Sequence, residues 1–158
     1  MKKVLVFVLI FLFGAGAGAA GLIFGAPSLL SHKPRPIVAS LPYNPSQAVG
    51  VTETGIESNL ATSGHYVRFD LEFSVTKEAL NAQGGSSAGA QGGTGTGSPQ
   101  LDAKIRNDLI NLVRSIPYGE FTSSGGLSTF KTQVKGVLES IFGPGTIGPI
   151  YFSSLMTQ

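Results

Sequence analysis

Two histidines, nine carboxylates and many serines are the residues whose types could support metal binding or nucleophilic catalysis in this chain, since cysteine is absent. His32 lies close to an N-terminal apolar segment, and His65 follows a Ser63-Gly64 turn. A protein metal site needs at least three convergent ligands. No group of His, Asp and Glu in the sequence has the spacing of metal ligands, so we predict no metal site. Because the chain has no cysteine, we also predict no thiolate chemistry.

A catalytic triad would require His65 to converge with Asp70 and one of the serines. The sequence offers no nucleophile-elbow motif in support of such a site. An exposed turn residue is the simpler interpretation of His65. We therefore predict no catalytic residues and no enzymatic activity.

Residues 82–97 form a low-complexity stretch with the sequence AQGGSSAGAQGGTGTG. A phosphate-binding glycine loop requires a following Lys-Ser/Thr, or a GxGxxG that leads from a strand into a helix. Here Gly97 is followed by Ser98-Pro99. We predict a flexible Gly-rich loop and no bound cofactor.

An apolar segment at residues 4–26 carries no charged side chain. If it crosses a membrane, the rest of the chain lies on one side of that membrane. As a helix it would extend about 35 Å, enough to cross a hydrocarbon core of roughly 30 Å with some tilt. The alternative is a cleaved secretory signal with small residues near Ala17. The apolar run continues past that point through Leu22-Ile23-Phe24, which favours a retained transmembrane helix.

Four glycines of this segment, Gly14, Gly18, Gly21 and Gly25, have spacings that place them on one helix face. Glycine allows two membrane helices to approach closely, so the pattern predicts a helix-packing face for a second copy or another membrane protein. The alternative is that small residues are simply common in membrane helices.

The charges that flank the segment are nearly balanced between its two ends. The short N-terminal flank and the likeness of the segment to a signal anchor favour an N-terminus inside the cell, with residues 1–3 in the cytoplasm and the rest of the chain outside it. Lys2 and Lys3 flank one end, while Lys33 and Arg35 lie beyond the other. After these four, seven basic and nine acidic residues remain. Nothing in that balance predicts a nucleic-acid-binding surface.

Residues 27–47 contain five prolines and predict an extended juxtamembrane spacer. The alternative is a segment folded against the following domain, because Val38, Leu41 and Tyr43 lie among the prolines.

Strand patterns begin after the spacer. Residues 47–60 predict a weak strand that ends near Asn59. Residues 147–157 predict a last strand, with Ile150 and Phe152 on one face and Tyr151 and Leu155 on the other. Residues 66–75 alternate regularly between apolar and polar side chains, which predicts a half-buried strand. Its apolar positions are Val67, Phe69, Leu71, Phe73 and Val75.

Two amphipathic helices are predicted between these strands. The first covers residues 98–115 and carries Asp102 and Arg106 as an exposed i,i+4 pair. The second begins at Ser123-Ser124, ends at Gly143 and buries Leu127, Phe130, Val134, Val137, Leu138 and Ile141. The fold class predicted is α+β: one N-terminal transmembrane helix, then a small antiparallel sheet packed with two helices.

Three segments of this sequence resemble the FliL family of flagellar basal-body-associated proteins. They are SNLATSGHYVRFDLEFSV (residues 58–75), LDAKIRNDLINLVRS (residues 101–115) and IGPIYFSSLMTQ (residues 147–158). Family members have "NL" and "YxRxxxxxxV" in the first segment, an "IRDxIIxLLSS"-like helix, and "VYFxxFxxQ" at the end. The stretch at residues 82–97 and the Pro-rich spacer depart from the family pattern.

The resemblance implies a soluble domain at residues 48–158 with a fold like the SPFH domain of stomatin-like proteins. It also implies a non-enzymatic protein of the flagellum, single-pass in the inner membrane, with the domain outside the cytoplasm. Copies would form a homo-oligomeric ring around a MotA/MotB-type stator and support torque, swimming, swarming and chemotaxis. Two alternatives remain: an envelope-anchored binding or scaffold module on another membrane complex, and a secreted enzyme with a cleaved signal.

Overall fold

The computed structural model of the chain describes residues 43–87 and 93–158. The predictions for residues 1–3, for the transmembrane segment at residues 4–26 and for most of the spacer at residues 27–47 lie outside these residues. So does the predicted helix-packing face of Gly14, Gly18, Gly21 and Gly25. Within the described ranges, every helix is too short or too polar to cross a membrane.

A three-stranded antiparallel sheet in the order β1-β2-β3 forms one layer of the domain. β1 covers Ala48–Asn59, β2 covers Tyr66–Thr76, and β3 covers Ile147–Thr157. A short 3-10 turn, Pro45–Gln47, precedes β1. The predicted return of the last strand beside residues 66–75 is confirmed, and the fold is α+β as predicted.

β2 is the central strand, and its alternation is the basis of the core. The five apolar positions predicted for its inner face, Val67, Phe69, Leu71, Phe73 and Val75, are each no more than 1% exposed. The intervening polar residues Arg68 and Glu72 are exposed. This burial pattern confirms that the helices of the described residues cover one face of the sheet.

A β-bulge in β1 keeps both halves of that strand facing the core. Glu53 pairs with Leu71 and Ile56 with Phe69, so two residues of β1 lie opposite Asp70 alone. One of them, Gly55, has φ 65°, a conformation that glycine adopts without steric cost. Its N–H donates to Asp70 Oδ1 at 2.6 Å.

A second bulge, in β3, corrects the predicted faces of that strand. Leu71 lies opposite Phe152, whereas Asp70 lies opposite Ser154 and Phe69 opposite Leu155. One residue of β3 is therefore left over, and the side-chain alternation changes phase. The prediction that Phe152 and Leu155 face opposite ways is wrong, because both pack against the core.

Within residues 43–87 and 93–158 the structure gives bounds for four helices between and beside the strands: α1 (Lys77–Ala82), α2 (Pro99–Ser115), α3 (Tyr118–Thr122) and α4 (Gly126–Phe142). α2 has the predicted bounds, with Ser98 as its N-cap. The predicted exposed pair on α2 is wrong, because the pair on that surface is Lys104–Asp108, at 2.9 Å. Arg106 instead reaches β1.

The second predicted helix begins later in the structure than predicted, and a short helix that was not predicted precedes it. α3 is a separate turn, and α4 begins at Gly126 and not at Ser123-Ser124. A β-carbon at Gly126 would collide with the backbone oxygens of Glu120 and Phe121, so glycine permits the close contact of α3 with α4. Leu127 is 50% exposed, which contradicts its predicted burial.

Four phenylalanines join α3 and α4 to the sheet. The Phe130 ring of α4 lies 5.4 Å from Phe69, 4.9 Å from Phe121 and 5.2 Å from Phe152, measured between centroids. Aromatic pairs at these separations stabilise a core beyond simple area burial. Phe130 is therefore the residue through which α4 holds β2, β3 and α3 together.

Candidate functional site

The residues considered for a catalytic triad have separate structural roles. The His65 ring stacks on Tyr118 at the start of α3, with centroids 3.8 Å apart and planes inclined by 12°. Asp70 accepts a hydrogen bond from the Gly55 bulge instead. In residues 43–87 and 93–158 no cluster of three His, Cys, Asp or Glu side chains could hold a metal ion.

A buried acidic side chain, Glu53, is the most unusual polar group that the structure describes. It lies on the core face of β1, opposite Leu71, and is only 2% exposed. Its Oε2 accepts from Arg106 Nη2 of α2 at 3.2 Å, while its Oε1 is buried without a hydrogen-bond partner. Buried carboxylates are unfavourable unless they are paired and hydrogen-bonded.

The pKa of Glu53 is raised to about 7, mainly because burial disfavours the ionised form. The nearby Asp102 carboxylate raises the pKa further, whereas Arg106 opposes both effects through its charge and hydrogen bond. The facing side chain of β2 is apolar, so Asp102 and Arg106 of α2 are the charged groups that set this pKa. The alternation of side chains along β1 could have predicted that Glu53 is buried, because Glu53 lies on the same face of the strand as the apolar Val49 and Val51.

Glu53 should make the domain less stable as the pH rises. The folded pKa is above the unfolded value, so stability is complete below pH 4.5 and is lost as the pH passes through about 7. The loss should reach up to about 3 kcal/mol, at about 1.4 kcal/mol per pKa unit. Urea denaturation of wild type and Glu53→Gln between pH 4.5 and 8 tests this. Equal pH dependence in both proteins would contradict it.

A strap formed by Gly95 and Thr96 crosses the edge of β1 beside this pair. The Gly95 N–H donates to Thr52 O at 2.7 Å. Thr96 is fully buried, and both its N–H and its hydroxyl donate to Asp102 Oδ1 at 2.6 Å. This end of the Gly-rich stretch is therefore packed on the domain, whereas residues 88–92 lie outside the described residues. The flexibility predicted for residues 82–97 as a whole stays a prediction.

The first and third segments of the family resemblance meet at one end of the sheet. The backbone of Tyr66 exchanges hydrogen bonds with that of Gln158 at 2.8 and 3.0 Å. The Tyr66 hydroxyl also donates to Gln158 Oε1 at 2.8 Å. The "NL" residues turn here, since the Leu60 N–H donates to His65 O and the next N–H reaches Ile116 O at the end of α2. The residues of these motifs therefore hold β3 against β2 and the β1–β2 turn against the end of α2.

The open surfaces of the described residues include the outer face of the sheet and a cleft beside β1. The outer face of the sheet presents Tyr151 and Met156, exposed by 58% and 52%, beside the charged side chains of Arg68 and Glu72. A polar cleft of about 370 Å³ lies where β1 and α2 meet. It is lined by Glu57, Ser58, Asn59, Tyr66, Ile110 and Arg114.

The class of protein that the structure defines is an α+β domain with a three-stranded antiparallel sheet. The family model described as flagellar basal body-associated protein FliL matches residues 52–158, so the chain belongs to the FliL family, as the resemblance predicted. Among curated proteins the sequence search finds no match.

Proposed function

We propose that this chain is a non-enzymatic membrane protein of the flagellar basal body that forms a ring around a MotA/MotB-type stator. It would support motor torque, swimming and swarming. The observation that carries the proposal is the FliL family match over residues 52–158. The charge-free segment at residues 4–26 supports a single membrane crossing. The N-terminus would be cytoplasmic and the domain outside the cytoplasm.

The proposed role is mechanical: copies of the domain, held at a set height by the spacer, keep the stator engaged. A fold like the SPFH domain of stomatin-like proteins is part of the same proposal. The sheet face that the described helices leave open, with Tyr151 and Met156, gives the domain an outward surface for a neighbour.

An in-frame deletion, with a tagged copy restored, tests this function. We expect the tagged protein to stay full length in the membrane fraction, and the deletion strain to swim or swarm poorly with intact flagella. Full motility of the deletion strain would overturn the stator role and favour a scaffold on another membrane complex. A trimmed protein in the medium would overturn the anchor.

The glycine face should mediate helix contact inside the membrane. We expect Gly18→Ile and Gly21→Ile to weaken ring or stator association, because a bulky side chain separates helices that pack closely. Cross-linked oligomer size and swarm diameter measure the effect. Ala19→Ile, which adds bulk in the same segment but away from the glycine face, is the matched control. Unchanged oligomers and motility in both glycine variants would show that this face is not a packing face.

A further inference from the structure

The strap beside β1 and the side chain of Glu53 connect the same two elements, β1 and α2. On β1 they begin side by side, because Gly95 bonds the carbonyl oxygen of Thr52, the residue before Glu53. On α2 they end about one helical turn apart, since the strap bonds Asp102 and Glu53 bonds Arg106. The strap therefore lies across the gap between strand and helix that the Glu53 side chain also bridges.

A small number of polar contacts holds the strap in place. Thr96 gives both of its donors to one oxygen, Asp102 Oδ1, and its own carbonyl accepts from the Ser86 N–H at 2.8 Å. Gly95 has φ 94°, which favours glycine, and a β-carbon there would collide with the Asp102 carboxylate. Loss of the Asp102 acceptor should therefore open the strap locally, without removing any apolar side chain from the core.

The Glu53 carboxylate is poorly placed to carry a charge while the strap is closed. Its side chain is 2% exposed, and Oε1 has no hydrogen-bond partner among the described residues. Asp102 and Arg106 of α2 are the charged groups that act on it, whereas Leu71 of β2 is apolar and the strap is uncharged. Water that enters past an open strap would solvate the ionised carboxylate, so the open form should bind the Glu53 proton less tightly than the closed form.

We propose that the strap is a proton-controlled cover on β1, which stays closed while Glu53 is protonated and opens locally when Glu53 ionises. Opening frees the Thr52 carbonyl and exposes this part of the β1 edge to solvent. The pKa of Glu53 is raised in the closed form, so the strap is most firmly closed below pH 4.5 and loosens as the pH rises toward about 7. If opening restores the usual pKa of 4.5, the open fraction should rise by up to about 300-fold over that range and then level off.

Amide hydrogen exchange of the full-length protein in detergent, followed by mass spectrometry between pH 4.5 and 8, tests the proposal. Protection factors, which correct for the intrinsic pH dependence of exchange, are compared for peptides that cover the strap and α4. We expect the protection of the strap to fall by about tenfold or more across this range. At every pH α4 should stay better protected than the strap, because the strap opens without unfolding of the core. The cover belongs to the domain alone, so this test does not depend on the stator role.

Four variants separate the contributions to the cover. Glu53→Gln cannot ionise, so its strap should have the same protection at every pH. Asp102→Asn keeps an oxygen acceptor for Thr96 but removes the charge that acts on Glu53, so the strap should stay closed with a weaker pH dependence. Asp102→Ala removes the acceptor and should leave the strap unprotected at every pH. Asp108→Ala removes an exposed carboxylate of the same helix, bound to Lys104, and should leave the strap unchanged.

Three results would overturn the proposal. The first is an equal pH dependence of strap protection in wild type and Glu53→Gln, which would show that Glu53 does not control the strap. The second is equal protection of the strap and α4 at every pH, which would mean that the strap opens only when the domain unfolds. The third is a strap that remains fully protected in Asp102→Ala. Glu53→Gln and Asp102→Asn preserve side-chain shape, so the first two comparisons hold even if Asp102→Ala fails to fold.

Discussion

Phe130→Ala should lower the free energy of unfolding of the domain by about 4 kcal/mol, within the range for removing a buried phenylalanine. Phe130 is 1% exposed and contacts three other phenylalanine rings. Its loss leaves a cavity between α4 and the sheet that rigid neighbours fill only in part. Urea denaturation of residues 43–158 at constant pH measures the effect.

Leu127→Ala is the matched control for this prediction. Leu127 is an apolar residue on the same helix but is half exposed, so its truncation should change stability by about 0.5 kcal/mol or less. Similar losses in the two variants, or a loss below about 1 kcal/mol for Phe130→Ala, would show that α4 does not pack on the sheet as described.

Arg106→Ala should destabilise the domain by up to about 3 kcal/mol at pH 8, because it leaves the buried Glu53 carboxylate without its counter-charge. The 42% exposure of Arg106 makes this figure an upper bound. The charge left behind is Glu53, whose Oε1 already has no hydrogen-bond partner. Since Arg106 lowers the pKa of Glu53, its removal should raise that pKa further. At pH 5 Glu53 is protonated with or without Arg106, so the loss should be much smaller.

Two further variants make the ion-pair prediction specific. Glu53→Gln combined with Arg106→Ala should recover most of the stability lost at pH 8, because no buried charge remains. Lys104→Ala breaks the exposed Lys104–Asp108 pair on the same helix and should cost about 0.5 kcal/mol or less. An Arg106→Ala loss that is independent of pH and of residue 53 would contradict the mechanism.

The regular alternation of β2 made its buried face predictable, because a period of two residues leaves no choice of face once one residue is placed. The same reasoning failed in β3, where a bulge changes the phase between Phe152 and Leu155. A bulge depends on pairing with another strand, and the apolar pattern of β3 alone does not reveal it. Leu127 was misplaced for a related reason: the helix begins at Gly126, after a separate α3 turn.

The Glu53–Arg106 pair shows a second limit of sequence reasoning. The i,i+4 spacing of Asp102 and Arg106 favoured a local pair, yet each residue has a more distant partner. Arg106 bonds a residue 53 positions earlier in the chain, and Asp102 holds Thr96. Spacing along one helix cannot show what a neighbouring strand or strap offers, so the tertiary partners displaced the local one.

The antiparallel contact between β2 and β3 has a consequence for folding kinetics. β1 and β2 are joined by a short turn, whereas Val67 of β2 pairs with Thr157, ninety positions later. Contacts between such distant residues form slowly, because a long loop must close before they are made. The β1–β2 hairpin should therefore form early. The edge of β2 that pairs with β3 should remain unpaired until the C-terminal strand reaches it. During that interval the nascent domain would be most open to aggregation and to capture by chaperones.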